Sequence, residues 1–460
     1  MANRLQRLSA IFLLIFSGVA LTLAYWGLVR SPGLLARDDN PRLVAAELRV
    51  LRGRILDRNG VVLAETVGDL GGLERNYPQG DVPAVGHYSM RYGVSGVEAA
   101  YDDVLRGRLD EWVEWINAVL HRPAVGSDVQ LTIDSRLQAV ANDALADQVG
   151  AAVLIEARSG EILALASHPS YDRNLLEEQF DTLSADERGP LLNRATQALY
   201  QPGTALRPLL LAAGLERRVV QMDTPLQVPG AWTECVSAPP QVESSITAAM
   251  AHACPGPFAE LAIELGPDRL VDGLADLGLF DRPGLPLELA RSTLPEPIAG
   301  EEALIAEGLG QGNMTVSPLQ MAWMVASIAN DGDRPALRLV RRIGSEAEGW
   351  ELVVPAEAAV TRGMSAQTAD GVTQAMRTAV QSGAASGAAV SGQDVAGHVG
   401  TAVSGPGNAR NHWFLGFAPA LAPRPFARYV VVVLLEENAS PDEAASIGGE
   451  ILAAAFLTIP

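Results

Sequence analysis

Thr204 stands at the start of an apolar helix in "YQPGTALRP" (200–208), behind a Pro-Gly turn, and Arg207 follows three residues later. A hydroxyl at a helix start with a basic residue three positions on is the spacing at which many acyl-transferring enzymes place Ser and Lys. A Thr hydroxyl can act as a nucleophile, although its β-methyl crowds the attack. Arg207 changes the chemistry more: a guanidinium stays protonated at physiological pH and cannot accept the nucleophile's proton as a neutral Lys amine does. Other sources of chemistry are sparse. His87, His121, His168, His252 and His412 form no spaced cluster, and the carboxylates are too scattered to name a glycosidase-like pair. Cys235 and Cys254 have no metal-ligand spacing with a His, so neither a metal nor another cofactor is expected. The two cysteines fit a disulfide or two buried thiols equally well. "GLGQGN" (308–313) lacks the strand and helix context of a phosphate loop and reads as a tight turn.

The elements that must position Thr204 and Arg207 are set by composition and patterning. The chain has 460 residues, with Lys+Arg 34 against Asp+Glu 54 and a net charge of −20, which repels nucleic acid. Residues 9–29, "SAIFLLIFSGVALTLAYWGLV", carry no charge and are long enough for a transmembrane anchor. Arg4 and Arg7 favour a cytoplasmic N-terminus over residues 1–8, and Tyr25 and Trp26 fall where interfacial rings belong. The run exceeds the apolar core of a cleaved signal, and no small-residue cleavage site follows it. The expected product is a single-pass protein with everything beyond about residue 30 outside the cytoplasm.

Residues 30–125 read as a small β-rich pedestal, with "RGRILDRNGVVLAET" (52–66) a hairpin around Asn59-Gly60. Residues 126–460 read as a larger α+β domain. Asp134 is placed to cap its first helix. "AAVLIEARSGEILALAS" gives two strands about an Arg-Ser-Gly turn, helices concentrate between 204 and 330, and three strands return before an apolar C-terminal helix. These strands are expected to form one antiparallel sheet assembled from distant segments, and "SGAASGAAVSG" (382–392) is expected to be a flexible loop.

Taken together, "RGRILDRNG", "YPQG", "GVSGVEAAYDDVLRG", "VQLTIDSRLQ", "GEILALASHPSYDRN", "NRATQALYQPG" and "GLGQGNMTVSPLQMA" resemble, in order, the landmarks of the class B penicillin-binding proteins. These are anchored D,D-transpeptidases of peptidoglycan synthesis in the bacterial cytoplasmic membrane. The resemblance implies a pedestal followed by a penicillin-binding domain of the serine β-lactamase type. It also implies three catalytic motifs: Ser-x-x-Lys, Ser-x-Asn and Lys-Thr-Gly. Here the first aligns with Thr204-Ala205-Leu206-Arg207, the second with Ala253-Cys254-Pro255 and the third with His398-Val399-Gly400. Ala253 has no hydroxyl to relay a proton, and Pro255 has neither an amide side chain nor a backbone N–H. Val399 replaces a substrate-binding hydroxyl, and a neutral His398 holds a carboxylate less firmly than Lys. General-base catalysis supplies roughly 10²–10⁴-fold, so its loss together with the binding groups silences transpeptidation. The oxyanion hole survives in principle, since the backbone N–H groups of Thr204 and Thr401 remain.

The resemblance therefore implies a pseudoenzyme that binds and positions, or activates, a SEDS-family lipid II glycosyltransferase. Its contacts are expected in residues 9–29 and 52–107, with Arg52, Asp57 and Arg58 as candidates whose plainer role is to hold the hairpin together. A second reading is a residual acyl-transferase or hydrolase using Thr204 with His398 as base, for which no acidic orienter beyond Asp394 offers itself. A third is a non-covalent sensor of stem peptides or β-lactams, with Thr204, Arg207, His398 and Thr401 as the binding set. Arg207 would then grip a carboxylate, unless it pairs with an acid of this chain.

Overall fold

The computed structural model describes residues 2–26, 50–69, 72–107, 123–222, 235–237, 245–293, 297–346, 349–354, 360–404, 409–421, 428–437 and 439–458. In chain order it comprises α1 (Ala2–Ala24), β1 (Ile55–Leu56), β2 (Val62–Val67), β3 (Glu74–Asn76), β4 (Asp128–Leu131) and α2 (Ser135–Ala144). The hairpin β5 (Gly150–Glu156) and β6 (Ile162–His168) precedes α3 (Arg207–Glu216), α4 (Ile246–Ala251), α5 (Gly256–Asp276), α6 (Glu301–Gly308) and α7 (Pro318–Ala329). Then come β7 (Val340–Ser345), β8 (Gly349–Leu352), α8 (Ala366–Ser382), β9 (Ala396–Ser404), β10 (Ala409–Ala418), β11 (Tyr429–Leu435) and α9 (Pro441–Thr458).

The larger unit is built on a five-stranded sheet, order β9-β10-β11-β5-β6, antiparallel throughout as the sequence suggested. Its central strand "YVVVVLL" is apolar at every position because both faces are covered. Val430, Val432 and Leu434 face one buried cluster with α3 and α7, and Val431, Val433 and Leu435 face a second with α2 and α9. Asp134 caps α2 by accepting a bond from the Arg136 N–H, as expected. The run 382–392 differs from expectation. Ala385 and Ala388 are fully buried, Ser386–Ala388 forms a short 3₁₀ turn, and this stretch packs on α9. Small residues serve there for close approach: a Cβ at Gly449 would sit 3.1 Å from the Ala388 backbone.

The pedestal hairpin forms about Gly60, whose φ is +87°, and joins a six-stranded sheet of order β8-β7-β4-β1-β2-β3. That sheet takes β4, β7 and β8 from beyond residue 126, so the two units share a continuous surface of hydrogen bonds. Asp57, Arg58 and Arg52 have internal roles. The fully buried Asp57 carboxylate accepts from the N–H of Asn59 (2.7 Å) and Val61 (2.8 Å) and from the Ser135 hydroxyl (2.8 Å), tying the hairpin turn to the start of α2. Arg58 reaches Glu161 at 3.2 Å. Buried Arg52 pairs with Glu98 at 2.8 Å and Asp102 at 2.6 Å, while Arg75 takes the other Glu98 oxygen at 2.6 Å. These bonds give Arg52, Asp57 and Arg58 the plainer of their two expected roles, holding the hairpin together within the chain.

Residues 9–26 are exposed on every side of the helix. Among the described residues no helix is long and apolar enough to cross a membrane, and 27–29, the end of the expected span, lie outside them.

Candidate functional site

The chain approaches Thr204 along a firmly held path. The hydroxyl of Tyr200 donates to Glu436 at 2.6 Å, Arg194 donates to the same oxygen at 2.7 Å, and the Gly203 N–H donates to the Gly310 carbonyl at 2.8 Å. Gly203 has φ +53°, and a Cβ there would meet the Thr401 carbonyl oxygen at 2.2 Å. The chain turns through Gly203–Leu206 as one 3₁₀ turn and continues as α3. Gly400 permits the matching approach from β9, since a Cβ there would lie 2.2 Å from the Ala205 nitrogen. Two glycines thus press the start of α3 directly onto the free edge of the sheet.

Three of the expected residues meet at that contact. The Thr401 N–H donates to Thr204 Oγ1 at 2.8 Å, so one oxyanion-hole donor is engaged by the hydroxyl itself. His398 Nε2 lies 3.1 Å from the Thr204 carbonyl oxygen. A carbonyl only accepts, so Nε2 carries the proton and Nδ1 is the bare nitrogen, which finds no hydrogen-bond partner. His398 is fully buried. Burial and then the Arg207 charge push its pKa down to about 3, against the opposite pull of the Thr204 and Met250 carbonyls. The geometry speaks against His398 as general base to Thr204: the ring donates to the backbone of Thr204, and burial lowers its affinity for a proton. Asp394 does not orient it either, being held by Arg377 at 2.7 Å.

Arg207 is enclosed by its own helix, by His398 and by Phe258 of α5, whose ring centre lies 5.3 Å from its Cζ. Its Nε and Nη1 are buried without hydrogen-bond partners. Burial pushes its pKa down to about 9, and no carboxylate among the described residues opposes that shift. It remains a cation at neutral pH. Among the described residues Arg207 forms no ion pair with an acid, and a carboxylate ligand would have to enter a site that is already closed.

The second-motif positions have become structural. Ala253 ends α4 in the left-handed region, φ +53°, with Cys254 N–H bonded to the Ala249 carbonyl at 2.8 Å and Ala253 N–H to Met250 at 3.3 Å. That is the glycine-type helix stop. Pro255 caps α5. Cys254 is bonded to Cys235, settling the question left open by the sequence, and the N–H groups of Val236 and Ser237 both donate to His252 O. Ala253 and Val399 lie in the same buried apolar cluster, so both positions fill a core.

Sequence reasoning missed Gln311 and Phe258. Gln311 Nε2 donates to the Thr401 carbonyl at 3.3 Å, and its Oε1 accepts from the Val403 N–H at 3.1 Å. The glycines of "GLGQGN" announced a turn, but nothing local shows that its Gln reaches a strand ninety residues away.

Comparison with known proteins agrees with this architecture. Residues 150–457 match the penicillin-binding protein transpeptidase domain, and residues 52–129 match the penicillin-binding protein A dimerisation domain. The chain is 33% identical over 456 residues to the peptidoglycan D,D-transpeptidase PbpA of Mycolicibacterium smegmatis, covering 92% of this chain and 90% of that protein. It is 30% identical over 272 residues to the D,D-transpeptidase MrdA of Escherichia coli, covering 52% of this chain and 43% of that one. Among solved structures, the ceftriaxone acyl-enzyme of penicillin-binding protein A from Mycobacterium tuberculosis superposes with a TM-score of 0.78 at 28% identity, covering 89% of this chain and all of that one. With fold, motif order and both domains in agreement, the chain belongs to the class B penicillin-binding proteins.

Proposed function

We propose that this chain is a non-acylating member of its family, a membrane-anchored scaffold that binds and positions, or activates, a SEDS-type lipid II glycosyltransferase rather than cross-linking peptidoglycan. One observation carries the loss of chemistry. The position of the proton-accepting Lys is held by Arg207, buried, charged at neutral pH and directed at no anion, beside a His398 that donates to the Thr204 backbone. No group within reach of Thr204 Oγ1 among the described residues serves as its base; its one recorded partner is the Thr401 N–H, a donor. Support for anchoring is the uncharged run 9–29 behind a basic N-terminus. Support for a scaffold is the pedestal, held internally by the buried Arg52–Glu98 and Arg75–Glu98 pairs and tied to the larger unit by Arg58–Glu161.

The test is covalent labelling with a fluorescent penicillin, read on a denaturing gel beside a Thr204→Ala control and an active family member. No adduct at saturating label is expected. An adduct that disappears in Thr204→Ala would refute the reading. The partnering half is tested separately, by co-purifying the tagged full chain with a SEDS polymerase and comparing a variant lacking residues 1–29.

A further inference from the structure

The pedestal contains two buried guanidiniums whose donors are not all spent. The side chains of Arg52, ahead of β1, and Arg75, in β3, are each 3% exposed. Arg52 donates through Nη2 to Glu98 at 2.8 Å and through Nη1 to Asp102 at 2.6 Å. Arg75 donates through Nε to Glu98 at 2.6 Å, and through Nη1 to the Gly53 carbonyl at 2.9 Å and the Thr66 hydroxyl at 3.2 Å. Arg52 Nε and Arg75 Nη2 are left over, both buried and both without an acceptor. The neighbouring carboxylates are already divided: Glu98 serves both guanidiniums, and Asp102 also meets Arg106 at 3.3 Å. An unmet donor on a buried cation is costly, so an acceptor is expected beside the pair.

Both arginines line one cavity of about 30 Å³. That is room for a single compact ion or one or two waters, and too little for a peptide or a sugar. Its walls favour an ion. The Thr66 hydroxyl has given its proton to the Arg52 carbonyl at 3.2 Å. Tyr88 turns its ring to Arg52, with the ring centre 4.3 Å from Cζ, and Leu73 and Met90 are apolar. A water would accept from both donors but bring two O–H groups of its own, and the one lining carboxylate, Glu74, is exposed to solvent. A monatomic anion accepts from both and donates nothing, which matches a lining whose unspent buried side-chain atoms are donors only. Glu74 and Met90 are the exposed residues of the lining, so the cavity is reached from their side.

We propose that the pedestal carries a binding site for one compact monovalent anion of chloride size, held by Arg52 Nε and Arg75 Nη2. The ion completes the network that joins β3 to the segment before β1 and, through Glu98, to the helix Gly96–Ala100. The site lies in the pedestal and does not depend on whether Thr204 acylates.

The test uses the full chain in detergent at constant ionic strength, with chloride exchanged for gluconate, which is too large for the cavity. Chloride NMR line width reads exchange of a bound ion, and Tm reads its linkage to folding. The net charge of −20 repels anions in general, so a saturable signal marks a specific site. Wild type should broaden the chloride line, bromide should compete that broadening away, and Tm should rise by about 2 °C between about 1 and about 100 mM chloride. Glu74→Gln leaves both donors in place, removes the negative charge at the mouth and should tighten binding about twofold. Arg75→Lys keeps a cation for Glu98 but lacks the second fork nitrogen, so broadening and Tm dependence should both disappear. An unbroadened wild-type line would overturn the site and leave water at the two donors. Broadening that Glu74→Gln leaves unchanged, or that survives in Arg75→Lys, would overturn it as an adventitious ion only. The wild-type and Glu74→Gln comparison decides the matter even where Arg75→Lys does not fold.

Discussion

Replacing Arg207 with Met should make the protein more stable, which is unusual for a fully buried position. Burial holds the guanidinium's pKa well below its ordinary value, at about 9. That difference corresponds to about 5 kcal/mol of unfavourable burial, at about 1.4 kcal/mol per pKa unit. Met fills a similar volume without charge but forfeits the guanidinium's contact with Phe258, worth about 1–2 kcal/mol. A net gain of about 3 kcal/mol remains. For a unit of about 300 residues unfolding cooperatively, an entropy near 2 cal/mol/K per residue converts this to a rise in Tm of about 5 °C. The sign with pH is also fixed. A base whose native pKa is depressed carries its full cost wherever both native and unfolded forms are protonated, so the cost is constant below about pH 9 and is relieved only above it. Differential scanning calorimetry of both proteins at pH 6 and pH 8 should therefore give the same increment. An unchanged or lowered Tm would mean that Arg207 has a counter-ion, and the account of the closed cleft would fail with it.

His398 gives the contrasting pH signature. Its native pKa of about 3 lies below the unfolded value of 6.5, so the unfolded state binds the extra proton between them and stability falls as pH drops through that window. Between pH 6.5 and 5, wild type should lose about 2 kcal/mol more than His398→Gln in urea melts. Reducing the Cys235–Cys254 bond, or Cys235→Ser with Cys254→Ser, frees a loop of 19-residue separation and should cost about 3 kcal/mol, read as a lower urea midpoint. Ala253→Gly should raise stability by up to about 1 kcal/mol, because glycine adopts the positive φ at that helix stop without a Cβ penalty; a lower melting temperature would show that the Ala methyl packs better than the backbone suffers.

Much of the architecture was legible in the sequence because it is written in local signals. The Asn59-Gly60 turn, the Asp134 cap and the all-apolar strand around Val431 each need only a few consecutive residues to be recognised. The altered motifs were legible too, since an Arg at position 207 excludes a neutral base by its own chemistry. What the sequence by itself determined was thus the fold and the chemical character of the side chains at Thr204 and Arg207. The role of His398 was left open between a replacement of the motif Lys and a base facing Thr204, and only its burial and the carbonyl it meets show which way its proton points. The ownership of Arg52 and Asp57 was likewise open until their partners, Glu98 and Ser135, came in from distant segments. The run 382–392 read as a loop because small residues look alike whether they are free or pressed against a helix. Gln311 was invisible for the same reason in reverse, since its partners Thr401 and Val403 are backbone groups that every residue possesses. Chemistry carried by a side chain's identity can be read from the chain alone, whereas burial, proton direction and the capping of an edge depend on which distant groups arrive beside it, and only the tertiary structure decides that.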